Sequence, residues 1–200
     1  MYRYISKRKS PEDWFPTLMA AVCDTDIKDR LLEGTKIGDK TFKVHLDGYN
    51  QLPMLTGQTD QSARDEFYYF DDDGELVAMR YDQVVPGGTE PMAWKVVFAE
   101  QRAPGGLQIW MNPFTTLRTP YLFNLRMDPY ERGDVGPTNS YYRWETDNVY
   151  LIFQGVQRAT AFLETFKDYP PSQMPASFSI DQAVEKLKME LQTQQQQPAK

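Results

Sequence analysis

Residues Glu66–Tyr81 read EFYYFDDDGELVAMRY, and the reading of this stretch decides the fold. Two apolar, aromatic-rich runs flank Asp71-Asp72-Asp73-Gly74. β-Formers on both sides of an Asp/Gly turn predict a hairpin, with Phe67, Tyr68, Tyr69 and Phe70 in one strand and Leu76–Tyr81 in the other. Further strand-like runs at Ala93–Ala99 (AWKVVFA) and Leu107–Met111 (LQIWM) extend it into an antiparallel sheet, and Tyr121–Leu125 (YLFNL) adds a short fifth strand. An antiparallel sheet with one wet face alternates apolar and polar residues. Here Trp94, Val96 and Phe98 fall on one side and Val97 and Ala99 on the other, while Leu76 and Ala78 oppose Val77, Met79 and Tyr81. Both faces are therefore expected to be covered, by this chain's helices or by another domain. A partly covered face would be an interface.

Upstream, Ser10-Pro11-Glu12-Asp13 carries the signature of a helix start, with Trp14, Leu18, Ala21 and Val22 on its apolar face. A second short helix over Asp24–Leu32 stops at Gly34, Thr35–Lys40 is a loop, and Thr41–Leu46 alternates like a strand. Asp47-Gly48 turns the chain, and Leu52, Met54 and Leu55 anchor the next segment. Downstream, helical periodicity from Tyr142 to Lys167 puts Val149, Ile152, Phe153, Val156, Thr160, Leu163 and Phe166 on one stripe. After a Pro/Ser loop, Ser179 and Gln182 form a capping box for a last helix whose face is Ile180, Val184, Leu187 and Leu191. The expected fold class is α+β, an antiparallel sheet of about four strands packed with C-terminal helices. Residues 1–34 read as a basic tail and two helices, 35–191 as the α+β domain, and 192–200 as a disordered Gln-rich tail.

Composition narrows the function classes. The chain has 200 residues, a formal charge of −6 and 40% hydrophobic residues. A sequence pI near 4.9 argues against nucleic acid as partner. Met1–Ser10 runs the other way, with four cations and no acid, and reads as a solvated tail. No apolar segment follows it, so no secretory signal is expected, and no run is long enough to span a membrane. As written, the chain is expected to be soluble and cytoplasmic. Cys23 is the sole cysteine, which precludes an internal disulfide, and it reads as a small buried residue.

The candidate chemistry is thin. Asp71–Asp73 with Glu75 offers hard oxygen ligands, but Tyr69 stands where an EF-hand needs its first acid, so the turn reads as solvated. Asp147-Asn148 reads as a helix cap or surface turn. His45, the sole histidine, has no Ser or Cys partner in a recognisable arrangement and reads as a surface or hydrogen-bonded structural residue. There is no Gly-rich phosphate loop, zinc spacing or nucleophile elbow.

Several stretches, in the same order, resemble the C-terminal part of the sulfatases, especially arylsulfatases. Glu12–Leu18 (EDWFPTL) is similar to the helix-opening DxxPTL that closes that family's catalytic domain. Leu46–Gly57 (LDGYNQLPMLTG) resembles its LDGxSLLPLLxG, and Leu122–Glu131 (LFNLRMDPYE) its LYDLxxDPxE. The hairpin and Trp94–Phe98 resemble strands of its C-terminal subdomain, while NPFTTLR and SFSIDQAVEKL resemble one arylsulfatase subgroup. The likeness runs over roughly residues 11–190. It implies a sulfuric ester hydrolase with a formylglycine, made within C/S-x-P-x-R, and a Ca²⁺ ion, both in a catalytic domain. Neither carries over: Cys23 is followed by Asp24-Thr25-Asp26, and the acidic Ca²⁺ motifs have no counterpart, so this chain is expected to hold no cofactor itself. Where some members place a substrate-reaching histidine on the third strand, this chain has Val97, leaving Trp94 and Lys95 as the implied substrate-pocket rim. The implied partner is a catalytic sulfatase domain in trans, or a second copy docked through the apolar sheet face. The alternative is a non-enzymatic binding module that kept the fold without the chemistry.

Overall fold

The structure, a computed structural model, describes residues 10–103, 105–135 and 140–170. It is α+β, with a four-stranded antiparallel sheet packed against helices. Strands β3 (Glu66–Phe70), β4 (Leu76–Gln83), β5 (Met92–Glu100) and β6 (Thr115–Asn124) lie side by side in sequence order. The central hairpin forms where its Asp/Gly turn placed it. Asp71 Oδ1 accepts the backbone N–H groups of Asp73 (3.1 Å) and Glu75 (2.8 Å), and Gly74 takes the left-handed conformation that closes the reversal.

One sheet face packs on α6 (Val149–Asp168). Met79, Tyr81, Trp94, Val96 and Leu122 meet Leu151, Ile152 and Ala159 in the principal core. A register shift between Tyr69 and Phe70 carries Leu76 onto this face, with Met79 and Tyr81 rather than against them. The approach is close because Gly155 faces the sheet: a Cβ there would lie 2.7 Å from Val96 Cγ2. The Tyr81 hydroxyl donates to the Leu151 carbonyl at 2.5 Å, which fixes the start of α6 on the sheet. The opposite face holds a smaller cluster of Ala78, Val97 and Phe123. It is not uniformly apolar, since Arg80 pairs in register with Lys95 and Asp82 with Ala93.

Helix α5 (Ser140–Asp147) guards the outer edge of β6. Its Tyr141 hydroxyl accepts from Leu122 N (3.2 Å) and donates to Leu122 O (3.0 Å), and Glu145 Oε1 accepts the same amide at 3.0 Å. An otherwise open strand edge is thereby satisfied by side chains.

Several expectations are corrected. Leu107–Met111 is not a strand: Gly105 and Gly106 turn the chain left-handed, Gln108–Met111 forms the short exposed helix α4, and the neighbour of β5 is the longer β6. The sheet keeps the expected four strands, because Tyr121–Leu125 falls at the end of β6 and takes the place that Leu107–Met111 vacates. Thr35–Lys40 is not a loop but most of a small hairpin, β1 (Thr35–Ile37) with β2 (Lys40–Phe42), and the Thr41–Leu46 strand ends at Phe42. The single helix expected over Tyr142–Lys167 is two: Asn148 interrupts it at the N-cap position of α6, where its side-chain amide bonds back to Trp144 O (2.8 Å) rather than capping the new helix.

The buried stripe of α6 is also rotated from the expected one. Leu151, Ile152, Gly155 and Ala159 are buried and Phe153 is exposed, since the small residues permit the closest approach to the sheet. Cys23 is exposed rather than buried. It sits left-handed (φ 67°) past helix α1 (Trp14–Ala21), with Cys23 N on Ala20 O and Asp24 N on Met19 O, a Schellman-type cap. The expected last helix and the Gln-rich tail lie outside the described residues, as does the loop beyond Pro170.

Candidate functional site

The N-terminal segments are joined to the sheet by a buried polar hub centred on Asp13. Ser10 caps and Asp13 ends a 3-10 turn, Pro11–Asp13, that leads into α1. The Asp13 carboxylate accepts Ser10 N (2.9 Å), Tyr49 N (2.8 Å), Gln51 Nε2 (3.2 Å) and Arg64 Nη2 (2.6 Å). Thr17 Oγ1, one turn on, accepts Gln51 N at 2.9 Å. Gln51 Oε1 in turn accepts Ser62 Oγ and Ala63 N. Asp13, Thr17, Gln51 and Arg64 are all buried, so each lone pair and proton needs a partner, and the hub supplies them. Burial by itself raises the Asp13 carboxyl, but the bonds from Arg64, Ser10 and Tyr49 outweigh it and hold the group below its ordinary value. Gly48 completes the junction. A Cβ there would stand 2.1 Å from the Glu12 carbonyl, so only glycine lets the two segments touch.

Beside this hub a cleft of about 610 Å³ opens between the N-terminal segments, β3 and α6. Its floor is aromatic. Tyr68 stacks on Phe162 with ring centroids 3.9 Å apart, and Phe70 and Phe166 extend the cluster. Its rim carries Lys28, Arg64 and Arg158 against Glu12, Asp47 and Glu66, so it is charge-balanced. Lys28 Nζ (5.0 Å) and Arg64 Cζ (4.8 Å) both lie over the Tyr49 ring. Lys28 Nζ donates to Gly48 O at 2.7 Å, and burial pushes this ammonium down from its ordinary pKa. Arg158 reaches Glu66 at 3.3 Å and Asp65 at 3.5 Å.

His45 lies on this cleft, hydrogen-bonded through Nδ1 to Asp47 Oδ1 at 3.0 Å. Among the described residues lining the cleft, Thr165 carries the only aliphatic hydroxyl, and there is no serine or cysteine. A His–Asp pair therefore faces a space to which no activated nucleophile contributes. The cleft's features suit binding an amphipathic group.

The two residues singled out as a pocket rim do not meet. Trp94 is 3% exposed in the α6-facing core, where its indole N–H donates to Gln83 O and its ring stacks on Trp144. Lys95 projects from the opposite face, held by Glu131 at 2.7 Å and over the Tyr69 ring at 4.9 Å. Adjacent strand residues point to opposite faces, so two neighbours cannot share a pocket across a sheet. In the acidic turn, Asp71 spends one carboxylate oxygen on the reversal itself. Among the described residues no three His, Cys, Asp or Glu side chains gather closely enough to hold a metal, and no helix is long and apolar enough to cross a membrane.

Helix α1 presents large apolar side chains to solvent beside the hub. Its Thr17 and Ala20 face inward, while Trp14, Phe15 and Leu18 are exposed and Val22, just past its end, is 70% exposed. The apolar face expected from the sequence is the one in solvent, because the polar residues Asp13 and Thr17 take the inward positions. Arg64 had no local signal in the sequence, since its partner Asp13 lies 51 positions away. No protein-family model matches this chain, and neither does any curated protein sequence.

Proposed function

We propose that this chain is the C-terminal part of an arylsulfatase-like sulfuric ester hydrolase. It completes the fold and one wall of the substrate cleft for a catalytic domain supplied in the same polypeptide or by another chain, and has no activity by itself. Formylglycine and Ca²⁺ belong to that domain in this reading. The observation that carries the reading is the posture of α1. Asp13 and Thr17 of the DxxPTL-like stretch anchor inward, while Trp14, Phe15, Leu18 and Val22 are exposed among the described residues. In the family this helix closes the catalytic domain, so its outer side is where that domain would rest. A contiguous exposed patch of large apolar side chains marks an interface in a soluble protein. The second sulfatase-like motif supports the same reading, for Gly48 and Gln51 of LDGYNQLPMLTG are the residues that meet the first motif.

The purified chain is expected to give no turnover of 4-nitrophenyl sulfate. Turnover abolished by a metal chelator would overturn the proposal. A C/S-x-P-x-R frame in the coding sequence directly upstream would support it, and the lack of one favours the independent binding module. Trp14→Ser with Leu18→Ser is expected to reduce hydrophobic-dye binding. A monomeric parent chain that binds no dye would remove the interface on which the reading rests.

A further inference from the structure

The aromatic cleft has one neighbour that fits it. Helix α6 ends at Asp168 with Thr165 and Phe166 already lining the cleft, and Tyr169 lies 5.6 Å, ring to ring, from the cleft residue His45. The described structure thus ends at the cleft's edge, and thirty residues of sequence follow. Within them, Ile180, Val184, Leu187 and Leu191 recur at helical spacing, and Asp181, Glu185, Lys186, Lys188 and Glu190 lie between. The nine residues from 171 to 179 span up to about 30 Å when extended, ample to return this stripe to the cleft. Charge points the same way. A rim of three cations and three acids offers little to a small anion and suits an occupant that carries both signs beside an apolar face.

We propose that the segment Phe178–Leu191 docks in this cleft, laying Ile180, Val184, Leu187 and Leu191 on the floor formed by Tyr68, Phe70, Phe162 and Phe166. The cleft is then a seat for the chain's own C-terminal segment, whatever domain rests on α1. Helix-in-groove recognition works through such i, i+4, i+7 anchors. The inference does not depend on the sulfatase reading.

The test uses the full chain carrying Cys23→Ser and Glu185→Cys, with a nitroxide on the new thiol and isotope labels for amide detection. Docking predicts loss of the amide signals of Ala161, Thr165 and Phe70, while those of Tyr121 and Leu122 on the far edge strand persist. Adding Leu187→Asp is expected to restore the lost signals. Retention of the cleft signals in the parent, or their loss despite Leu187→Asp, would overturn the proposal. So would loss that persists when nitroxide-bearing chains without isotope are mixed with isotope-labelled chains that carry no nitroxide, which would make a second copy the occupant.

Discussion

Arg64 Nη2 and Asp13 Oδ1 lie 2.6 Å apart, with side chains only 5% and 3% exposed, across 51 positions of sequence. The pair does more than neutralise itself. Arg64 also donates to Asp47 O at 3.1 Å and stacks on Tyr49, while Asp13 accepts from Ser10, Tyr49 and Gln51. Three segments distant in sequence therefore share one charge pair.

Removing one partner should accordingly be far worse than its surface counterpart. Asp13→Ala leaves a buried guanidinium without its carboxylate, a change that costs about 3–5 kcal/mol. Glu12→Ala, whose side chain is 55% exposed at 3.4 Å from the same arginine, should cost about 0–1 kcal/mol. Urea unfolding of both variants, read as a shift in midpoint, separates them. Equal costs would mean that the buried pair is not what joins the segments.

The same carboxylate sets an acid limit. Its folded pKa is depressed, so the unfolded chain binds its proton more readily than the folded one. The stabilisation is fully present above the ordinary value of 3.8 and is lost as pH falls through the lower folded value. Stability measured from pH 6 down to pH 2 should fall through this window, and Asp13→Asn should flatten that limb while lowering the plateau.

Local chemistry made the central hairpin legible. An Asp/Gly turn between aromatic runs needs no distant partner to declare itself, and the interior apolar run of β5 was as plain. Leu107–Met111 misled because a short apolar run has the same composition in a strand or an exposed helical turn. Asp13 and Thr17 stood in a visible motif, but their role depended on Gln51 and Arg64, which no periodicity connects to them. The cleft was invisible for the same reason: its floor joins Tyr68 to Phe162, and its rim joins Lys28 to Arg158. Trp94 and Lys95 came from the resemblance alone, and as neighbours on one strand they project to opposite faces of the sheet.

Gly48 should prove intolerant of the smallest side chain. The clash would be with the Glu12 backbone carbonyl, 2.1 Å from the added carbon, and backbone cannot rotate away as a side chain can. Gly48→Ala is therefore expected to cost at least the roughly 1–3 kcal/mol of an overpacked core. Amide hydrogen exchange should show the loss as faster exchange at Tyr49 and Gln51, whose N–H groups bond to Asp13 and Thr17. Unchanged protection there would place the strain elsewhere.

Gly155 offers a sharper experiment because its neighbour is a side chain. Gly155→Ala gains up to about 1 kcal/mol of helix propensity in the middle of α6. Against this, the new methyl lies 2.7 Å from Val96 Cγ2 and 3.3 Å from Tyr81 Cε1, in a core where Val96 and Tyr81 are fully buried. Overpacking of this kind costs about 1–3 kcal/mol, so the single variant should be destabilised on balance. Val96→Ala alone should also be destabilised, through the cavity it leaves. The two changes fill and empty the same space, so the double variant should be more stable than the sum of the single losses requires. Thermal or urea unfolding of the four proteins gives that coupling directly. Simple additivity would mean that α6 does not meet the sheet at Gly155, and the register of the helix on the sheet would have to be redrawn.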